Sequence, residues 1–186
     1  MHRITGLDRR QTPLLEKQKE SKVVIRIASL NDLNQIDDIY NQAIDSRCST
    51  GDTQYWQNED RLNWYNDHIS DQYPILIAEI DKRVIGWICV SPYRKGREGL
   101  KLTVEVSYYI HNDFKQKGVG SALLSGMIAI AEKLKYKTMI AIVFHSNTGS
   151  VKLLEKHGFV CWGTLPDVIE IDSKTYSHLY YGLKLH

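Results

Sequence analysis

The sequence predicts one mixed α/β domain with the element order β-α-α-β-β-β-α-β-α-β-β. Three observations carry that reading. Short β-branched or apolar runs, such as 75–80 (ILIAEI) and 138–144 (TMIAIVF), have strand length and strand composition. Between them lie segments whose apolar residues recur at three and four positions, as on a helix. Three strands also follow one another between 75 and 110 with no helix among them, which excludes a doubly wound fold and leaves an early meander with a late βαβ crossover.

The elements follow in order. Residues 1–22 are charged and carry too few apolar positions for a core face, so they are expected to form a mobile tail ahead of a single domain at 23–186. Residues 23–28 form a strand. Ser29, three before Asp32, marks a helix entry, and Leu33, Ile36, Ile39, Tyr40, Ala43 and Ile44 give the helix its buried face. A polar loop at 45–57 leads to a second helix near 59–69, with Leu62, Trp64, Tyr65 and Ile69 as its apolar positions. Strands 75–80 and 84–90 make a hairpin about the charged turn Asp81-Lys82-Arg83. A basic loop at 91–100 precedes strand 101–110. The helix at 118–134 turns Leu123, Leu124, Met127, Ile130, Ala131 and Leu134 inward. Strand 138–144 is apolar throughout, as a strand covered on both faces is. Ser146 or Asn147 caps a helix that Gly158 ends. Strands near 159–164 and 176–185 close the chain.

Bulk properties narrow the function. The 186 residues are 42% hydrophobic and 25% charged, with a formal net charge of +2. That balance gives no electrostatic reason to bind nucleic acid or a membrane surface. No apolar run approaches the roughly 20 residues of a membrane span, and no secretory leader is recognisable. Cys48, Cys89 and Cys161 are scattered and odd in number, which argues against disulfides and zinc and fits a reduced, cytoplasmic setting. The seven histidines have no ligand spacing, so no metal site is expected.

Chemistry is concentrated between Thr103 and Ser121. The segment Lys115-Gln116-Lys117-Gly118-Val119-Gly120-Ser121 opens a helix. The first amides of a helix lack internal acceptors and carry the positive end of its dipole, and glycine lets a ligand approach them. The result suits a pyrophosphate. The spacing is neither a dinucleotide fingerprint nor a P-loop. Glu105 lies on the polar alternation of the preceding strand, with Thr103, Ser107, Tyr109 and His111, and could accept a proton there. Asn147 stands at a strand-to-helix junction, where it could cap the helix or bond an extended ligand.

These residues, with NTGSVKLLEKHGF at 147–159, resemble the GNAT superfamily of acetyl-CoA-dependent N-acetyltransferases. YPILIAE, SPYRKGRE, TVEVSYYI and GVGSALL give a further likeness to the phosphinothricin and methionine sulfoximine N-acetyltransferases. The resemblance covers residues 23–186. It implies a mixed, mostly antiparallel central sheet with helices on both faces. It implies acetyl-CoA as co-substrate, with backbone N–H groups of Gln116, Lys117, Gly118, Val119, Gly120 and Ser121 on its pyrophosphate. Tyr108, Tyr109 and Ile110 would lie along the pantetheine arm where two strands splay, and Asn147 would bond the arm from the other side. Glu105 would be the general base, acting on a small amino-acid-like amine. Arg94, Lys95 and Arg97 are candidates to hold an acceptor's carboxylate or phosphinate. A protein or peptide amine as acceptor, or a CoA-binding sensor without turnover, are the alternatives. The family's helix tyrosine that protonates the leaving thiolate is Leu154 here, which leaves Tyr108, Tyr109 or His145 as candidates. Leu100 replaces a substrate-wall tyrosine, and Lys115 replaces the usual Arg or Gln. The resemblance also implies that two chains can pair as a homodimer.

Overall fold

The computed structural model describes residues 22–68 and 71–186. The predicted tail and Ile69 lie outside them, apart from Lys22. Seven strands form one sheet: β1 (Val24–Ile27), β2 (Ile75–Ile80), β3 (Arg83–Pro92), β4 (Thr103–Ile110), β5 (Thr138–Phe144), β6 (Val160–Ile171) and β7 (Lys174–Lys184). Their spatial order is β1-β2-β3-β4-β5-β7-β6. Every pairing is antiparallel except β4 with β5. The helices are α1 (Leu33–Asp45), α2 (Asn58–His68), α3 (Val119–Lys133) and α4 (Thr148–Lys156). The expected order and fold class are those observed.

The sheet is covered on both faces, which is why its central strands are apolar almost throughout. On one face Leu76, Ala78, Ile88, Val104 and Val106 pack with Leu123, Leu124 and Met127 of α3 and Leu154 of α4. On the other, Ile75, Ile77, Trp87 and Cys89 pack with Ile36, Ile39 and Ile44 of α1. Strand alternation assigns neighbouring residues to opposite cores. A bulge keeps the assignment consistent on β3. Ala78 pairs with Gly86 and Glu79 with Val84, so Ile85 is the extra residue. Ile85 and Ile88 can then both face α3 while Val84 and Trp87 face α1.

Local signals were mostly read correctly. Ser29 and Asp32 form the capping box of a 3₁₀ turn that runs into α1. Arg26 binds both Asp32 and Glu79, each at 2.7 Å, and its hydrogen bond holds the Asp32 carboxyl down at about 2. Helix α4 ends in a Schellman pair, with Gly158 N–H donating to Glu155 and Phe159 N–H to Leu154, while Gly158 has φ +82. Leu62, expected to face the core, is 43% exposed; α2 buries Arg61, at 2%, and His68 instead. Strand β6 runs on to Ile171, well past the predicted 164, and β7 begins at Lys174. The two-residue turn Asp172-Ser173 has positive φ at both positions, as the tight right-twisted hairpin requires.

Arg61 explains how α2 packs although it has no apolar stripe. Its guanidinium forms an ion pair with Asp37 of α1 and lies over Tyr40, Trp56 and Trp64, with ring-centroid distances of 5.2, 4.4 and 5.6 Å. Burial alone would discharge it; the Asp37 charge and the ring faces oppose that. Arg61→Ala is expected to destabilise the protein by about 3 kcal/mol, because it strands a half-buried carboxylate. Denaturant unfolding of the two proteins checks this, and a loss within error of zero would refute the assignment.

Candidate active site

Strands β4 and β5 stay together for only three residue pairs: Thr103 with Thr138, Val104 with Met139, Glu105 with Ile140. Beyond them each strand keeps only its outer partner. β4 remains paired to β3 as far as Ile110, and β5 to β7 as far as Phe144. The inner edges of both strands therefore face a wedge-shaped gap with unpaired ladder groups. A cavity of about 400 Å³ fills it. It extends from the loop ahead of α3, between the strands and against the start of α4, to Ala43 and Ser49 on the α1 side.

The glycine loop closes one end. Gln116 and Gly118 both have positive φ, which curls the backbone just before α3 begins at Val119. Ala122 N–H is the first to close on the helix, onto Gly118 O at 3.0 Å. The amides ahead of it are the open donors of a helix start. The two glycines have different reasons. A side chain at Gly118 would meet nothing within 4 Å, so its φ of +83 is what demands glycine there. A Cβ at Gly120 would meet Leu153 at 3.0 Å and Ile110 beyond it, so that glycine lets α3 seat against α4 and β4. Both glycines also line the cavity.

The other sequence candidates divide clearly. Tyr108, Tyr109, Ile110, Gln116, Gly118, Gly120, Ser121 and Asn147 all line the cavity. Val119 sends its side chain into the core, so only its backbone belongs to the loop. The Lys117 ammonium lies 5.3 Å from the ring centre of Phe114, a lining residue, while Lys115 lines the cavity itself. Asn147 is a helix cap: its Oδ1 accepts Ser150 N–H at 3.1 Å, leaving its amide nitrogen as the group it can offer a ligand. Leu154 is fully buried. His145 is exposed and outside the lining.

Glu105 sits just below the cavity, on the last paired rung of β4 and β5. Burial raises its pKa, and the positive charge of Arg94 partly opposes the rise. Its face of β4 is not the wholly polar one expected. Tyr109, four residues on, packs edge-on to Tyr40 at 4.9 Å and against Trp87. Tyr40 in turn donates to Asp52 at 2.7 Å, and its hydroxyl shares a 3.0 Å hydrogen bond with Thr50. Trp56 donates to the same Asp52 oxygen, which fixes the 46–57 loop as a wall. On the opposite face, Tyr108 reaches the first turn of α4, its hydroxyl 3.4 Å from Ser150 O. Burial raises the Tyr108 hydroxyl to about 12. Arg94 and Arg97 are exposed on the β3–β4 loop, outside the cavity, and Arg94 lies over the Tyr93 ring at 5.4 Å. The buried Cys89 thiol is pushed up to about 12 by desolvation, then by Glu105, and is not a nucleophile. Among the described residues no cluster of metal-ligating groups forms, and no helix is long and apolar enough to cross a membrane.

A seven-stranded sheet parted at one parallel junction, with a glycine loop and helix start at the opening, defines an acyltransferase scaffold. The chain belongs to the GNAT family of acetyltransferases, whose family model matches residues 33–159. It is 38% identical over 164 residues to YwnH of Bacillus subtilis, covering 88% of this chain and 99% of that one. It is 30% identical over 146 residues to the L-methionine sulfoximine/L-methionine sulfone acetyltransferase of Salmonella typhimurium, covering 78% and 85%. Among solved structures, yncA of Salmonella typhimurium with its cofactor acetyl-CoA superposes with a TM-score of 0.84 at 28% identity, covering 88% of this chain and 94% of that one.

Sequence reasoning missed Lys156, Ser150 and Leu153 as cavity residues, because nothing in a helix's own pattern says which strand gap it will overlook. Gly118→Ala is expected to cost about 1 kcal/mol from backbone conformation alone. In a chain of this size that lowers Tm by about 2–4 °C. An unchanged Tm in a calorimetric scan would show that the loop tolerates an ordinary residue.

Proposed function

We propose that this acetyltransferase moves the acetyl group of acetyl-CoA directly onto the amine of a small amino-acid-like acceptor. The observation that carries the reading is one continuous cavity, from the helix-start amides of α3 through the β4–β5 gap to the strand that bears Glu105. Open amides and Lys115 at one end suit a pyrophosphate. Unpaired strand edges in the middle suit the amide-bearing pantetheine arm, with the Asn147 side-chain amide opposite. The methionine sulfoximine acetyltransferase supports the acceptor class.

Glu105 is the general base in this reading. The acceptor arrives as an ammonium and must lose a proton before its nitrogen lone pair can form the C–N bond. Burial destabilises the Glu105 carboxylate and so makes it a better base than an exposed glutamate. As the C–S bond breaks, the thiolate takes a proton from Tyr108, which lines the cavity and carries a hydroxyl held protonated by burial. Tyr109 is less suited, since its ring is locked in the Tyr40 and Trp87 cluster. Arg94 and Arg97 stand on the loop beside β4, where a flexible guanidinium can meet the acceptor's carboxylate or phosphinate.

The test is thiol release from acetyl-CoA with a panel of free amino acids, methionine sulfone, methionine sulfoximine, phosphinothricin, polyamines and short peptides. Turnover with an amino-acid-like acceptor is expected. Turnover with peptides alone would favour protein acetylation, and binding of acetyl-CoA without turnover would favour a sensor. With the accepted substrate, Glu105→Gln is expected to lower kcat about 10²–10⁴-fold while acetyl-CoA affinity holds. The acidic limb of the wild-type pH–rate profile should lie above the ordinary carboxylate range, since a base with a raised pKa is active only above that pKa. Unchanged kcat in this variant removes Glu105 from the mechanism. Tyr108→Phe is expected to lower kcat about tenfold or more, and an unchanged kcat would refute its role as proton donor.

A further inference from the structure

Ser121 and His157 meet beside the glycine loop. Ser121 Oγ and His157 Nε2 are 2.8 Å apart, although 36 residues separate them in sequence. Ser121 is the third residue of α3 and lines the cavity. His157 is the C-cap of α4, and its backbone is pinned by its own N–H to Leu154 O at 3.0 Å and by the Gly158 and Phe159 bonds that follow. Both partners are therefore fixed by helix ends. Nothing in the fold needs this hydrogen bond to hold α3 against α4, because Gly120, Leu153 and Leu154 already pack there.

The direction of the bond matters to a ligand. Burial, and then the charge of Lys156, press the His157 ring below its ordinary value, so it is neutral at pH 7. A neutral imidazole has one N–H. When Nδ1 carries the hydrogen, the Ser121 hydroxyl donates to the ring and its proton is used up. When Nε2 carries it, the ring donates to Ser121 Oγ, and the seryl proton is free to point into the cavity. A phosphate oxygen is purely an acceptor, so it selects the second arrangement. A serine without such a partner would have three staggered hydroxyl positions to choose from.

We propose that His157 is a positioning residue for acetyl-CoA: by donating to Ser121 Oγ, it aims the Ser121 hydroxyl proton at a pyrophosphate oxygen in the glycine loop. The proposal rests on the reading of this cavity as the acetyl-CoA site.

The test compares two donors, acetyl-CoA and S-acetylpantetheine, which lacks the pyrophosphate. His157→Ala is expected to raise the KM for acetyl-CoA about tenfold, leaving kcat and the acceptor KM in place. Turnover of S-acetylpantetheine should be the same in both proteins. His157→Gln keeps a side-chain N–H that can donate to Ser121 and should recover most of the affinity. Ser121→Ala should match His157→Ala, and the double variant should lose no more than either. An unchanged KM for acetyl-CoA overturns the proposal. An equal loss with both donors also overturns it, by showing a packing defect in place of a pyrophosphate contact. Wild-type protein that binds no acetyl-CoA in a calorimetric titration overturns the acetyl-CoA reading itself, whereas normal wild-type turnover with an insensitive His157→Ala overturns only the role of His157.

Discussion

The parting of β4 and β5 after three rungs is the constraint on which the rest of this structure depends. A continuous sheet would satisfy more backbone groups, each worth about 1 kcal/mol net. The chain forgoes those bonds and holds the strands apart from both sides. On one side α3 and α4 press against β4, through Gly120, Leu153 and Ile110. On the other, β5 is committed to β7 along its whole length, seven residue pairs from Thr138 to Phe144. With each strand anchored to an outer partner, neither can move inward to close the gap. The gap is thus a product of packing elsewhere, and the donors along its edges are fixed before any ligand arrives.

A second set of interactions builds the α1 side of the cavity. Asp37, Arg61, Tyr40 and Asp52 link α1, α2 and the 46–57 loop through one buried cation and two carboxylates. Buried ion pairs are poor sources of net stability, and their better-attested use is to specify one arrangement among several. Here the arrangement specified is a wall of aromatic rings, with Tyr109 from β4 included. Glu105 stands four residues from that ring on the same strand, in low-dielectric surroundings that come from the same packing. The raised pKa of the carboxyl and the shape of the aromatic wall therefore share one origin.

Much of this was legible in the sequence, and the failures have physical causes. Strands β2 and β5 were placed to the residue because apolar runs bounded by turn residues have few alternatives. The glycine loop was placed at the start of α3 because its residue types are chemically distinctive. β6 runs past the expected end near 164 because it is an edge strand that absorbs Pro166 and Asp167 in a register shift between Leu165 and Ile169. On α2 the expected Trp64 and Tyr65 do pack on the core, but Leu62 does not, and Arg61 was missed because pattern reading treats arginine as exposed, whereas it is caged by aromatic rings that lie near it only after folding. The Ser121–His157 pair could not be read at all. It joins two helix ends, and the sequence gives no sign of which residues at such ends will touch.

The forgone ladder also makes the stability of this protein conditional. A ligand that hydrogen-bonds along the inner edges of β4 and β5 acts as the missing strand, and it binds only the folded chain. Folding free energy then rises with the logarithm of ligand concentration above the dissociation constant, by about 2.7 kcal/mol at a hundredfold excess. The part of acetyl-CoA that would supply this pairing is the pantetheine arm, so free CoA stabilises the fold by the same bonds, and the acetyl group adds only what its own contacts contribute.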